Sequence, residues 1–307
     1  MAVSALCRNT DGVGRSFAVR LPAPRRRAGV EDVPPTAYFA VSAVFHYLGP
    51  SFAVLLFARV DVLGVAWLRI ASAAVVFAAW RRPWRRRRTL DRRLVVSLGV
   101  VLAAMNTCFY VAIDRLPLAT VAAIEFIGPV LLALRGVRSR RNIAAVVAAV
   151  FGVYLLTHLR FVGEPVGVAF AFANAVLFTA YIVLAHHVAT RKGASGIDGL
   201  AGAMLVAFVV VSPVGIGAVA HAVTDPVALA AGVGVGVASS VVPYVLDQLA
   251  MKRLARATYA LLVALLPAMA AVIGAIVLAQ LPSPVDAAGI ALVMAAVAVH
   301  RPEDLPA

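Results

Sequence analysis

Three charged side chains, Arg69, Glu125 and Asp247, fall inside apolar runs long enough to cross a bilayer. A charge at such depth costs several kcal/mol unless it is paired or hydrated, so each needs a physical reason. Arg69 and Glu125 lie about seven or eight residues into their runs from the same side of the membrane, roughly 12 Å deep at 1.5 Å per residue. Two readings of them stay open: a fixed ion pair that fastens two helices, or a pair that binds a solute or a proton. In the second, Glu125 is the proton carrier, because a carboxyl in an apolar cavity can take up a proton and release it when a solute arrives. Asp247 lies close to the end of its run, beside Lys252 and Arg253, and reads as a hydrated interfacial carboxylate without a function.

Uncharged polar groups inside the runs add His46, Tyr47, Ser51, Asn106, Tyr110, Asn174, Tyr181, Ser240 and Tyr244. The candidates for solute or proton binding are Glu125, Arg69, Asn106, Tyr110, Tyr181, Tyr244, His46 and Tyr47; for each uncharged one a plain interhelical hydrogen bond of about 1 kcal/mol is an equal alternative. Prolines at 50, 129, 243 and 267 free backbone carbonyls, and Pro129 with Pro267 are the favoured functional bends.

Other chemistries find no support. His186 and His187 point to different faces of a helix and lack carboxylate or Cys partners at ligand spacing, so no metal site is expected. Gly232, Gly234 and Gly236 follow no strand and precede no Lys-Ser/Thr, so they suit close helix packing rather than a nucleotide loop, and no cofactor is expected. Two cysteines, Cys7 and Cys108, build neither a disulfide framework nor a thiolate cluster.

The elements that must position these residues are helices in a bilayer. Of 307 residues, 63% are hydrophobic and 14% charged, which excludes a water-soluble fold. Ten apolar runs, at 36–58, 61–80, 94–113, 118–135, 142–159, 166–188, 198–220, 227–250, 258–279 and 284–300, each approach the roughly 20 residues that a 30 Å hydrocarbon core needs. The formal charge of +14 lies almost wholly between them, so it marks loops on one membrane face and not a nucleic-acid surface. With the N-terminus inside, 24 of the Lys and Arg residues fall in inside stretches or, for Arg135, at the inner end of a run, and 3, Arg59, Arg115 and Arg160, in outside ones. Basic loops stay cytoplasmic, so both termini are expected inside, in the cell inner membrane, with the Arg81–Arg88 loop against anionic lipid. Residues 1–35 are expected to be a disordered cytoplasmic tail and not a cleavable signal peptide, and 301–307 a short cytoplasmic tail.

An internal repeat gives the architecture. Leu116, Ala119, Thr120 and Pro129 are matched 138 residues later by Leu254, Ala257, Thr258 and Pro267. The matched runs are five apart, an odd number, so the halves, 36–160 and 161–300, are related by an axis in the membrane plane. Inverted repeats of this kind belong to secondary transporters, with the solute site near the midplane between halves. The same offset pairs Asn106 with Tyr244 across that site.

The residues also carry a family likeness. Phe109-Tyr110, Leu116-Pro117-Leu118 and Ala123-Ile124-Glu125-Phe126-Ile127-Gly128-Pro129 resemble the third and fourth helices of the EamA family of the drug/metabolite transporter (DMT) superfamily. Pro243-Tyr244-Val245-Leu246-Asp247, Leu266-Pro267-Ala268-Met269, and Gly64 with Leu68-Arg69 are similar to its threonine and homoserine exporter subgroup. The resemblance runs from about residue 45 to 299. It implies an all-α polytopic membrane protein of ten transmembrane helices in two inverted five-helix repeats, with no ATP and no metal. It also implies export of amino acids of the threonine/homoserine type or related small metabolites. The membrane orientation and the lack of an ATP-binding loop lead to the expectation that inward protons drive that export, and the chain is expected to be a monomer or homodimer. Two departures bear on the solute: Leu266 stands where the subgroup carries an acidic residue, and His46-Tyr47 where small polar residues are expected. A membrane-embedded enzyme on lipid-linked substrates is the rival from another class, but it needs clustered acid–base residues at one membrane face, and the loops are too short to house them. A non-transporting assembly subunit is the third reading.

Overall fold

The structure is a computed structural model that describes residues 33–86, 91–128, 164–191, 195–219, 224–254 and 266–299, with isolated positions in 143–155 and at 259, 262 and 263. Ten helices are delimited: α1 (Pro35–Leu56), α2 (Val62–Arg81), α3 (Arg92–Arg115), α4 (Leu118–Glu125), α5 (Pro165–Thr190), α6 (Gly196–Gly215), α7 (Pro226–Gly236), α8 (Val242–Met251), α9 (Leu266–Leu278) and α10 (Pro284–Val299). No strand occurs among the described residues. The described positions of the fifth predicted run are all helical as well.

Local chemistry explains where these helices begin. Pro35, Pro165, Pro226 and Pro284 occupy first positions, where a missing N–H costs nothing and the fixed φ suits a helix. Asp61, Asp91 and Asp225 cap α2, α3 and α7 by accepting backbone N–H groups of Leu63, of Arg93 and Leu94, and of Val227 and Ala228. Six helices, counting Pro226–Met251 as one, run for 20 to 26 residues and are apolar enough to span a membrane. Twenty residues at 1.5 Å give the 30 Å of a hydrocarbon core.

The outside of the bundle is apolar: Val75, Val176, Ile276 and Leu281 are 68–82% exposed. Arg69, Glu125, Asp247, Asn106 and Asn174 are instead buried at the centre. A fold with polar groups inside and an apolar exterior suits a surrounding of lipid.

Helices before residue 160 pack chiefly on helices after it: α3 on α5 and α6, α2 on α6 and α7, α1 on α8 and α9, and α4 on α9. The ion pairs follow the same division. Arg59–Asp225 (3.3 Å) and Arg115–Glu164 (3.9 Å) join the two sets of helices at one end, Arg81–Asp198 (2.6 Å) and Arg191–Asp91 (2.8 Å) at the other. Only Asp198 is deeply buried among these, so the exposed pairs orient the ends more than they stabilise them.

α7 and α8 are one span interrupted at its middle by a π turn, Val237–Val241. Pro243 has no N–H to offer the Ser239 carbonyl in an α-helical ladder, which favours the wider turn there. Helices α1 and α2 close on the turn through glycine. A Cβ on Gly49 would lie 2.5 Å from Ser239 Cβ, and one on Gly236 would lie 2.7 Å from the Arg69 carbonyl oxygen. Only glycine fits at those two points.

Candidate functional site

The π turn supplies the first half of the site. Arg69, on α2, donates from Nε to Ser240 Oγ at 2.8 Å and from Nη2 to the Ser239 carbonyl at 2.8 Å. A longer Nη2 bond reaches the Tyr244 hydroxyl at 3.4 Å, and the guanidinium lies 5.3 Å from the centre of the Tyr110 ring. Arg69 also lines the central cavity. A guanidinium is always charged, and its planar fork is built to take a carboxylate.

The second half lies on α1, α4 and α5. Glu125, the last residue of α4, accepts from Asn174 Nδ2 at 3.0 Å and from the Tyr47 hydroxyl at 3.5 Å. The fixed Arg69–Glu125 ion pair, one of the two readings that the sequence left open, is not formed: the guanidinium is held by the π turn, and Glu125 by Asn174 and Tyr47. Both groups line one cavity with His46, Asn106, Phe109 and Phe178. The Asn174 Oδ1 atom, fully buried, has no hydrogen-bond partner. An orphaned buried acceptor costs about 1–3 kcal/mol, which a visiting donor would recover.

The sequence pairing of Asn106 with Tyr244 holds in space: Asn106 Nδ2 reaches the Tyr244 hydroxyl at 3.4 Å and the Leu102 carbonyl at 2.7 Å. Tyr181 and Tyr244 stack at a tilt, 5.5 Å between centres. Ser51 turns to its own helix, bonding the Leu48 carbonyl at 2.8 Å. Pro267 is buried at the second position of α9, and Pro129 lies outside the described residues.

Asp247 corrects the sequence reading. It is fully buried and accepts from Ser42 Oγ at 2.6 Å, His46 Nε2 at 2.9 Å and the Tyr181 hydroxyl at 3.4 Å, with Tyr259 beside it. Its place near a helix end suggested hydration, but α8 packs against α1 and α5 there, and the residue faces them. The available signal was the spacing of Tyr244 and Asp247, three apart and so on one helix face. Ser42 and Tyr259 carried no such signal, since single hydroxyls are common in membrane helices.

The cavity between Arg69 and Glu125 offers about 30 Å³ to water-sized spheres. One water needs about 10–15 Å³, so a pair of waters fits. Small-molecule pockets run to roughly 300 Å³ or more, so a solute enters only if the helices part.

No protein-family model matches the chain. The threonine/homoserine exporter RhtA of Escherichia coli K12 is 31% identical over 255 residues, covering 81% of this chain and 84% of that protein. The threonine/homoserine exporter RhtA of Salmonella typhimurium LT2 is 32% identical over 239 residues, covering 76% and 79%. A solved crystal structure shares the fold, with a TM-score of 0.54 at 18% identity, covering 86% of this chain and 96% of that one. With the buried Arg69, Glu125 and Tyr244 in place and relatives at this identity along most of its length, the chain belongs to the EamA-type exporters of the drug/metabolite transporter superfamily, the family of the RhtA proteins.

Proposed function

We propose that this chain is an inner-membrane secondary transporter that exports amino acids of the threonine/homoserine type or related small metabolites in exchange for protons. The observation that carries the proposal is that the Arg69 guanidinium, the Glu125 carboxylate and Asn174, with its orphaned Oδ1, line one small cavity. A zwitterion fits that arrangement by charge. Its carboxylate goes to the guanidinium, its ammonium to Glu125, and a hydroxyl or ammonium hydrogen to Asn174 Oδ1. The names of the RhtA relatives support the same solute class.

The architecture proposed is ten spans in two inverted five-helix repeats, 36–160 and 161–300, with both termini in the cytoplasm. The packing of α1–α4 on α5–α10, and ion pairs that cross the same division at both ends, support it. Rocking one half on the other would break one set of end pairs and open the cavity to one side. Glu125 then alternates between the solute ammonium inside and a proton outside, so that each exported molecule returns a proton inward.

Labelled L-threonine and L-homoserine flux in proteoliposomes tests the proposal. Saturable exchange is expected, stimulated by unlabelled solute on the far side. Flux no faster than in protein-free vesicles, across a panel of amino acids, would refute the amino-acid assignment.

A further inference from the structure

Outside the Arg69–Glu125 pair, one buried ionisable cluster stands unused, and it touches the same cavity. Asp247 on α8 receives a serine hydroxyl on Oδ1 and both His46 Nε2 and a tyrosine hydroxyl on Oδ2. That donor set matches an ionised carboxylate, which only accepts. With Asp247 ionised, the proton of the His46–Asp247 bond sits on His46 Nε2. The other ring nitrogen, Nδ1, makes no hydrogen bond among the described residues, whereas His187 Nδ1 bonds its own helix at 2.7 Å to the Val183 carbonyl. The His46 side chain is 12% exposed and lines the cavity. A ring held by a buried carboxylate through one nitrogen, with no hydrogen bond on the other and a place on the cavity wall, can accept a proton there.

We propose that His46, backed by Asp247, is a second proton-binding site whose imidazolium form excludes the solute ammonium from the cavity. This rests on the amino-acid export reading above. Binding is simple protonation: a proton from cavity water adds to Nδ1, and the neutral imidazole becomes an imidazolium paired to the Asp247 carboxylate. The groups facing the ring are Asp247 and Tyr244 on α8, with Glu125 on α4 and Arg69 on α2 across the cavity. Tyr181 on α5 and Tyr259 reach it only through Asp247. Arg69 already supplies one fixed positive charge. A second, on His46, offsets the attraction of Glu125 for an ammonium, while a neutral ring leaves it intact.

The sign follows from linkage. The solute binds the form without the His46 proton, so its affinity falls as pH drops through the histidine's titration, by up to about tenfold per pH unit. Reciprocally, bound solute makes the ring harder to protonate. On the acidic outer side the proton displaces the solute, and on the more alkaline cytoplasmic side the solute displaces the proton, which is the direction of export.

The direct test is carbon-detected NMR of the detergent-solubilised full chain with labelled histidine, in which the His46 resonance is the one missing from the His46→Gln variant. It is expected to change as the sample is acidified, and saturating L-threonine is expected to move that change to lower pH. A resonance that does not respond to pH, or a response unmoved by threonine that binds, overturns the proposal. Threonine counterflow by the wild-type chain is the separate check on the export reading: if it is absent, that reading fails, whatever His46 does. As a second variant, Asp247→Asn keeps the shape and removes the backing charge. Its His46 midpoint is expected to fall even without solute; an unchanged midpoint would remove Asp247 from the site.

Discussion

The sharpest packing test lies in two glycines of α7. A Cβ built on Gly234 meets nothing within 4 Å, whereas one on Gly236 overlaps Ser72 Oγ and lies 2.7 Å from the Arg69 carbonyl oxygen and 3.1 Å from Arg69 Cα. Ordinary carbon-to-oxygen contact is about 3.3–3.6 Å, so Gly236→Ala must push α7 away from the α2 backbone by about half an ångström or more. Ser72 can rotate, but the carbonyl cannot. Overpacking of this kind costs about 1–3 kcal/mol, and the gain in helix propensity returns about 0.5–1. Gly236→Ala is thus expected to lose about 1–2 kcal/mol, while Gly234→Ala is neutral or stabilising by up to about 1 kcal/mol. The displacement also reaches the site, since Gly236 adjoins the π turn whose Ser239 and Ser240 hold the Arg69 guanidinium. Loss of transport should therefore accompany loss of stability in Gly236→Ala alone. Thermal unfolding of the solubilised protein and threonine counterflow measure the two effects. Adding Ser72→Ala should restore only part of the loss, because the carbonyl contact remains. The reasoning fails if Gly236→Ala matches wild type in both assays, or if Gly234→Ala is as damaging.

Four further outcomes are expected. Arg69→Lys should lower transport at least tenfold, because an ammonium cannot hold Ser240 Oγ, the Ser239 carbonyl and a solute carboxylate in one plane; near wild-type flux would release the guanidinium from its role. Glu125→Gln should abolish efflux while leaving insertion and yield unchanged, and efflux at the wild-type rate would take Glu125 out of the mechanism. An imposed inward proton gradient should accelerate solute exit from oriented vesicles and a protonophore should stop it, whereas equal rates with and without the gradient would indicate a uniporter. Backbone N–H bonds, from Leu94 to Asp91 and from Ala228 to Asp225 foremost, hold those two capping carboxylates below their usual range. Their stabilisation is complete above the ordinary aspartate value of about 4 and is lost as pH falls through the lowered values, so amide exchange at the starts of α3 and α7 should rise only in stronger acid.

Hydrophobic run length and cap chemistry act locally, so the helical class, the helix starts at Pro165, Pro226 and Pro284 and the buried Arg69 and Glu125 were legible from the chain alone. The resemblance of the Glu125 and Pro243–Asp247 stretches to EamA-type exporters was legible too, and the relatives bear it out. Asn106 and Tyr244, paired in the sequence by the offset of 138, lie within 3.4 Å of each other.

Facing could not be read in the same way. Asp247 looked like an interfacial carboxylate because depth along a helix is one-dimensional information. Which side of α8 meets Ser42, His46 and Tyr181 depends on how α1 and α5 dock. An ion pair between Arg69 and Glu125 was one of two readings left open because they share a depth, but sharing a depth does not bring two groups within bonding distance. The π turn decided their separation: with the proline at 243 unable to complete an α-helical ladder, the Ser239 carbonyl and Ser240 hydroxyl take up the guanidinium. Run length, charge and caps depend on a residue and its near neighbours in the chain, and these the sequence determined by itself. The partners of a buried charge come from helices up to 205 residues away, and only the packed structure chose among them.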